Sequence, residues 1–260
     1  MREIETKILT IFHDSSHRPK ITPRHEGAIA VMLENYYTSS QIQNSLNKLE
    51  KTGKLFSVKY PITKGIAKFY FLVDFKDEAF QTKIEKKVKS YALWIEKYSS
   101  KTVTDVLGNH LHELVKKELE LQNFEILVSK DAREFNGNYW TESKHSLDII
   151  ARHIPTNLIV GVEVKNRLYL TSIKEIKTKI CMCNHFGILP IFAGRWMEPH
   201  RKFIESNNGF LWQFKHQIYP SEYTNFVDII KKRFKFPVIA SNKLPYFAKK
   251  EFTEFITKIC

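Results

Sequence analysis

The chain is poor in cysteine, with only Cys181, Cys183 and Cys260 among 260 residues. Three thiols cannot make the disulfide framework of a small secreted domain, and a reducing cytoplasm is the natural setting. No run of 18 apolar residues occurs, so a transmembrane helix is not expected. The opening MREIETKILTIFHDSSHR is charged and has no apolar stretch of the signal-peptide kind. Internal repeats and low-complexity segments are absent. What is present is a 43% hydrophobic, 13% aromatic composition, rich enough for a sizeable core, and a formal net charge of +13. Such a balance suits a polyanionic partner, since each Lys or Arg placed on a phosphate releases condensed counterions. An anionic membrane surface would answer to the same charge, but nucleic acid is favoured.

Apolar spacing divides the chain. Residues 1–15 predict a helix carrying Ile4, Ile8, Leu9 and Phe12, and Pro19 and Pro23 break the stretch after it. Residues 25–35 predict a second helix. Thr38 or Ser39 caps a third, with Ile42, Leu46 and Leu49 on one face and Gly53 ending it. Two strands then flank a Pro61–Gly65 turn. Three helices followed by a two-stranded wing resemble a winged helix over residues 1–75. In that family the third helix enters the major groove. Its polar positions here are Gln41, Gln43, Asn44, Asn47, Lys48 and Lys51, side chains suited to base edges and phosphates. A plain solvated face is the alternative. Residues 76–103 predict a linker helix.

From residue 104 the order is α-β-β-β-α-β-α-β, with 221–260 read as a C-terminal helical extension. The whole predicts an α/β (α+β) chain. Within 104–220, VGVEVKNR places Val160, Val162 and Val164 on one strand face and Glu163 and Lys165 on the other. SLDIIA places Asp148 inside another apolar strand. Charges in strands this apolar are costly to bury unless they pair or hold a metal.

Asp148 followed, after fourteen intervening residues, by Glu163-Val164-Lys165 resembles the D…(D/E)-x-K signature of the PD-(D/E)XK nuclease superfamily. The element order is similar to that family's restriction-endonuclease-like core, a mixed sheet flanked by helices. The resemblance implies Asp148 and Glu163 as metal ligands, the Val164 carbonyl as a further ligand, and Lys165 as the catalytic lysine. Glu113, on the helix before the first strand, is implied as a fourth member, with Glu118 or Glu120 as alternatives. It further implies Mg²⁺, with Mn²⁺ able to substitute, because hard oxygen ligands with waters left over suit such ions. The expected activity is hydrolysis of a nucleic-acid backbone, preferably duplex DNA, by an endonuclease that could act as a homodimer. A non-catalytic DNA-binding regulator and an RNA-acting nuclease remain the alternatives. Leu147 stands where the family often has proline, and no Gln-x-x-x-Tyr follows Lys165.

Other candidates are weaker. Asn166, Arg167 and Lys179 could meet phosphate or be ordinary surface polarity. Tyr139 and Trp140 could stack on a base or pin their loop. Cys181 and Cys183, like His110 and His112, are two apart on predicted helices and so point to different sides, which disfavours a zinc pair. HExxH, Walker and GxSxG motifs are absent.

Overall fold

The computed structural model describes residues 2–13, 22–72 and 78–259, and the chain is a mixture of helices and strands of the α+β kind. It divides into two compact units. One holds residues 1–104 and 228–236, the other 105–227 and 237–260. Among the described residues no helix is long and apolar enough to cross a membrane.

The first unit contains α1 (Glu3–Thr10), β1 (Arg24–His25), α2 (Glu26–Leu33), α3 (Ser39–Lys51), β2 (Leu55–Ile62), β3 (Gly65–Leu72) and α4 (Glu78–Ser99). The strands form an antiparallel sheet in the order β1-β3-β2. Ile4, Ile8 and Phe12 meet Ile29, Ile42, Leu46, Leu49, Leu55 and Tyr70 in its core. Thr38 is the N-cap of α3. Its hydroxyl accepts from the Gln41 N–H, while the Gln41 side chain accepts from the Thr38 N–H at 2.9 Å, a reciprocal capping box. Gly53, at φ +68°, supplies the left-handed residue that ends this helix.

Several boundaries differ from those the sequence predicts. α1 stops at Thr10, and the expected break at Pro19 lies outside the described residues. β1 was not foreseen, because two residues are too short to show a period. Pro61 is inside β2 opposite Ile66, not in the turn. β2 is an edge strand, where the missing proline N–H breaks no ladder bond. α4 is an integral helix of this unit, burying Ile84, Val88, Ala92 and Ile95.

The second unit contains α5 (Lys101–Leu121, from Asp105), β4 (Phe124–Val128), a small hairpin of β5 (Glu134–Phe135) and β6 (Asn138–Tyr139), β7 (Ile149–His153), β8 (Ile159–Lys165), α6 (Ile173–Phe186), β9 (Leu189–Arg195), α7 (Arg201–Glu205), β10 (Phe210–Phe214) and β11 (Gln217–Tyr219). After α8 (Thr224–Phe234) come β12 (Val238–Ala240) and α9 (Tyr246–Ile259). The main sheet runs β10-β9-β8-β7-β4. Strands β8, β9 and β10 are parallel, and β7 is antiparallel to both its neighbours. The strand with the Glu-x-Lys pair, β8, is therefore the middle one, as its apolar run predicts.

Val160 and Val162, with Val164 at the margin, belong to one core with Leu111, Leu114 and Val115 of α5 and Ala248, Phe252 and Ile256 of α9. The opposite face of β8 lies against α6. Gly161 sits there because a Cβ would come within 2.8 Å of Cys183 Sγ and 2.9 Å of Leu147 and Ile188 side-chain atoms. The C-terminal residues are not a separate extension. β12 pairs with β11, α9 completes the core, and residues 228–236 belong to the first unit. Their apolar side chains fill cores that the preceding residues leave open, which helical periodicity alone does not reveal.

Packing makes two positions testable. Gly161→Ala is expected to destabilise the second unit by about 1–3 kcal/mol through overpacking, read from urea unfolding midpoints. In the first unit the His25 ring packs on Phe69 and Phe234, at centroid distances of 5.3 and 6.2 Å, and its Nδ1 has no hydrogen-bond partner. Burial pushes its pKa down to about 4. An unfolded histidine titrates near 6.5, so the unfolded chain binds the extra proton first as pH falls. The contribution is whole above about pH 6.5 and is lost progressively as pH falls to about 4, with a slope of at most about 1.4 kcal/mol per pH unit. Thermal unfolding of wild type and His25→Phe between these values should diverge, the variant losing that part of the slope.

Candidate active site

Asp148 lies immediately before β7. Its N–H donates to the Val162 carbonyl at 3.2 Å, and its Oδ2 accepts from the Val164 N–H at 2.6 Å. The side chain thus grips the peptide that joins Glu163 to Val164. Asp148 is half-buried and lines an open cavity of about 230 Å³ with Val164, Asn109, His112, Lys130 and Asp131. The His112 Nε2 lies 3.4 Å from the Asp148 carbonyl oxygen, and Asp131 Oδ1 accepts from Ser146 Oγ at 3.2 Å.

Glu163 is sealed away, its side chain 2% exposed. Lys165 Nζ forms an ion pair with Oε1, and Lys179 Nζ stands 2.5 Å from Oε2. Neither oxygen receives an aligned hydrogen bond. Lys165 also reaches Glu175 at 3.0 Å, which meets Arg167 at 3.6 Å. Besides this ion pair, Lys179 donates a hydrogen bond to the Ser146 carbonyl, two residues before Asp148. Burial raises the Glu163 pKa, the Asp148 charge adds to that, and the two lysines oppose it. For Lys165, burial works against the charged form, but the attraction of Glu163, with Asp148 and Glu175, outweighs it and raises the pKa. Glu175 is likewise disfavoured as an anion by burial, yet Lys165 and Arg167 bring its pKa below the usual value.

The network has a simple geometric origin. Alternate residues of a strand are about 6.7 Å apart, and every fourth residue of a helix about 6.0 Å. Running antiparallel, Gly161, Glu163 and Lys165 of β8 meet Cys183, Lys179 and Glu175 of α6. Spacing on α6 therefore carried a signal that β8 taken alone does not show.

The motif residues are brought together only in part. Asp148 and Val164 share the cavity, and Glu163 and Lys165 share the buried network beside it. Glu113 does not join them. Its side chain is 62% exposed and lies 3.4 Å from His112 Nδ1. The α5 residues that reach the cavity are Gly108, Asn109 and His112; His112 lies about 100° round the helix from Glu113, and Asn109 one turn before it. Lys130 and Asp131 arrive from the loop after β4, and only the fold places them there.

Other expectations also change. Asn166 is no phosphate ligand. It is buried and bridges the Leu107 and Ile218 carbonyls, with its Oδ1 accepting from the Ile218 N–H. Trp140 is core, its Nε1 donating to Ser143 Oγ, whereas Tyr139 is exposed. Cys181 is exposed and Cys183 buried, and burial first, then Glu163, pushes the Cys183 thiol up to about 12. On α3, Gln41 is engaged in the capping box and Lys48 pairs with Glu5 at 2.7 Å. Gln43 donates to Asn47, while Asn44, Asn47 and Lys51 are exposed. The first unit carries 22 Lys and Arg against 12 Asp and Glu, the second 19 against 16.

The chain matches no family model, no curated protein and no solved structure.

Among the described residues no group of three or more His, Cys, Asp or Glu side chains makes a ready metal cage. A magnesium-type ion keeps several waters and needs few protein ligands. The Oδ1 of Asp148, not used in the bond to Val164, is a hard donor of that kind. The Glu163 oxygens are hard donors as well, but Lys165 and Lys179 face them, so Glu163 fits such an ion only where the ion takes the place of one of these ammonium groups.

Lys179→Met strips Glu163 of one counter-ion. A destabilisation on the order of 3 kcal/mol is expected from chemical unfolding. In a Glu163→Gln background the same substitution should cost far less, because no buried anion is then left behind.

Proposed function

We propose that this chain hydrolyses nucleic-acid phosphodiester bonds, with duplex DNA as substrate and Mg²⁺ or Mn²⁺ as cofactor. The observation that carries this reading is the Asp148 carboxylate, anchored on the Val164 N–H and facing an open cavity, next to a buried Glu163–Lys165 pair on the central strand. Asp148 and Glu163 would hold the ion, with the Val164 carbonyl a further donor by resemblance to the PD-(D/E)XK superfamily. A bound ion supplies an activated water and stabilises charge on the reacting phosphate oxygens. Lys165, held between Glu163 and Glu175, places a fixed positive charge in the buried network beside the cavity. His112 and Asn109 offer hydrogen-bonding groups on the far wall, and Lys130 offers a phosphate contact. The basic first unit holds the polyanion through charge and through Asn44, Asn47 and Lys51 of α3. Cutting both strands calls for two such sites, so the active form is proposed to be a dimer.

One observation favours a second reading. Both oxygens of Glu163 already face ammonium groups, which suits a DNA-binding protein that performs no chemistry. Incubating the purified chain with supercoiled plasmid and Mg²⁺ or Mn²⁺ decides between them. Nicking or linearisation is expected, with losses of about 10²-fold or more in Asp148→Ala, Glu163→Gln and Lys165→Ala. A wild-type chain that leaves plasmid intact and gains no heat or stability from Mn²⁺ would overturn the enzymatic reading.

A further inference from the structure

The charge of the first unit is not spread evenly over its helices. α4 buries Ile84, Val88, Ala92 and Ile95 on one side. At about 100° per residue, the opposite side is centred on Ser90, and Lys83, Lys86, Lys87, Trp94 and Lys97 all fall within about 60° of it. The four lysines are exposed. Glu85 and Glu96 lie at least about 120° away on the same wheel, and Glu96 is held by the Thr63 N–H and hydroxyl. A fifth cation enters the middle of the stripe from α8. Arg233 donates to Ser90 Oγ at 3.0 Å, and its guanidinium lies 5.1 Å from the Tyr91 ring centre and 5.6 Å from that of Trp94. Lys97 Nζ lies 5.4 Å from the same Trp94 ring.

From this arrangement we infer a second nucleic-acid surface, on α4 and the adjoining Arg233, separate from the polar face of α3 and reading backbone phosphates irrespective of sequence. From Lys83 to Lys97 the stripe runs about 21 Å, some six phosphate spacings along one strand. The stripe holds no acid to repel phosphate and no amide suited to a base edge, so it fits the backbone and not the sequence. A lipid surface is the poorer partner, since membrane-surface helices turn a broad apolar face to the bilayer and that face of α4 is spent inside the unit. The inference needs nucleic acid as partner but does not depend on catalysis.

Binding of the full chain to labelled duplexes about 30 base pairs long tests it, by fluorescence anisotropy in EDTA between about 50 and 200 mM salt. EDTA and the use of Asp148→Ala as a second background separate binding from cutting. Lys83→Ala/Lys86→Ala/Lys87→Ala should lower the log Kd against log salt slope by about 2–3, close to 0.9 per lysine, and weaken binding about tenfold or more. Lys97→Ala alone should lower the slope by about one. Both losses should be equal on two duplexes of unrelated sequence. The inference fails if the wild-type chain does not bind duplex, if the variants keep its slope, if one sequence alone is affected, or if phosphatidylserine vesicles bind more tightly than DNA.

Discussion

A carboxylate with almost no access to water sets the terms for the second unit. Burial and the nearby Asp148 oppose the charged form of Glu163 on the middle strand, and that form is supported by Lys179 from α6 at one oxygen and Lys165 from its own strand at the other. That demand fixes the register of α6 on β8. It also explains the neighbouring choices: no side chain at Gly161, where the helix comes closest, and Glu175 one turn before Lys179 to balance Lys165. Lys179 then extends the constraint to the Ser146 carbonyl and so to the approach of Asp148.

The two acids of the motif consequently live in different environments. Asp148 has one oxygen tied to a backbone N–H and the rest of its carboxylate at the wall of an open cavity. Glu163 has neither solvent nor an aligned donor. They are linked mechanically through the peptide between Glu163 and Val164, which Asp148 holds. A change at either residue is thus transmitted to the other without the side chains having to touch.

Much of this was legible in the sequence where a period or a cap carried it. Alternation put Val160, Val162 and Val164 on one face and Glu163 and Lys165 on the other, and the Thr38 cap and Gly53 bounded α3. The rest lay beyond local signals. Strands of two or three residues, such as β1 and β12, have no measurable period and form because a partner strand awaits them. Glu113 and His112 differ by one helical position, and only the folded chain shows that His112 lines the cavity while Glu113 is exposed. Asn166 has no local signal that separates it from a solvated asparagine, yet the fold buries it as a three-bond strut. Helical spacing on α6 could have identified Lys179 had it been compared with the two-residue step of β8.

The division of the chain bears on how it is made. Residues 228–236 complete the first unit, where Phe234 closes on His25 and Tyr91 and Arg233 reaches Ser90. An N-terminal unit of this kind cannot finish folding as it leaves the ribosome. It must wait, with part of its aromatic core uncovered, until residues 228–236 have been synthesised, after residues 105–227 of the second unit.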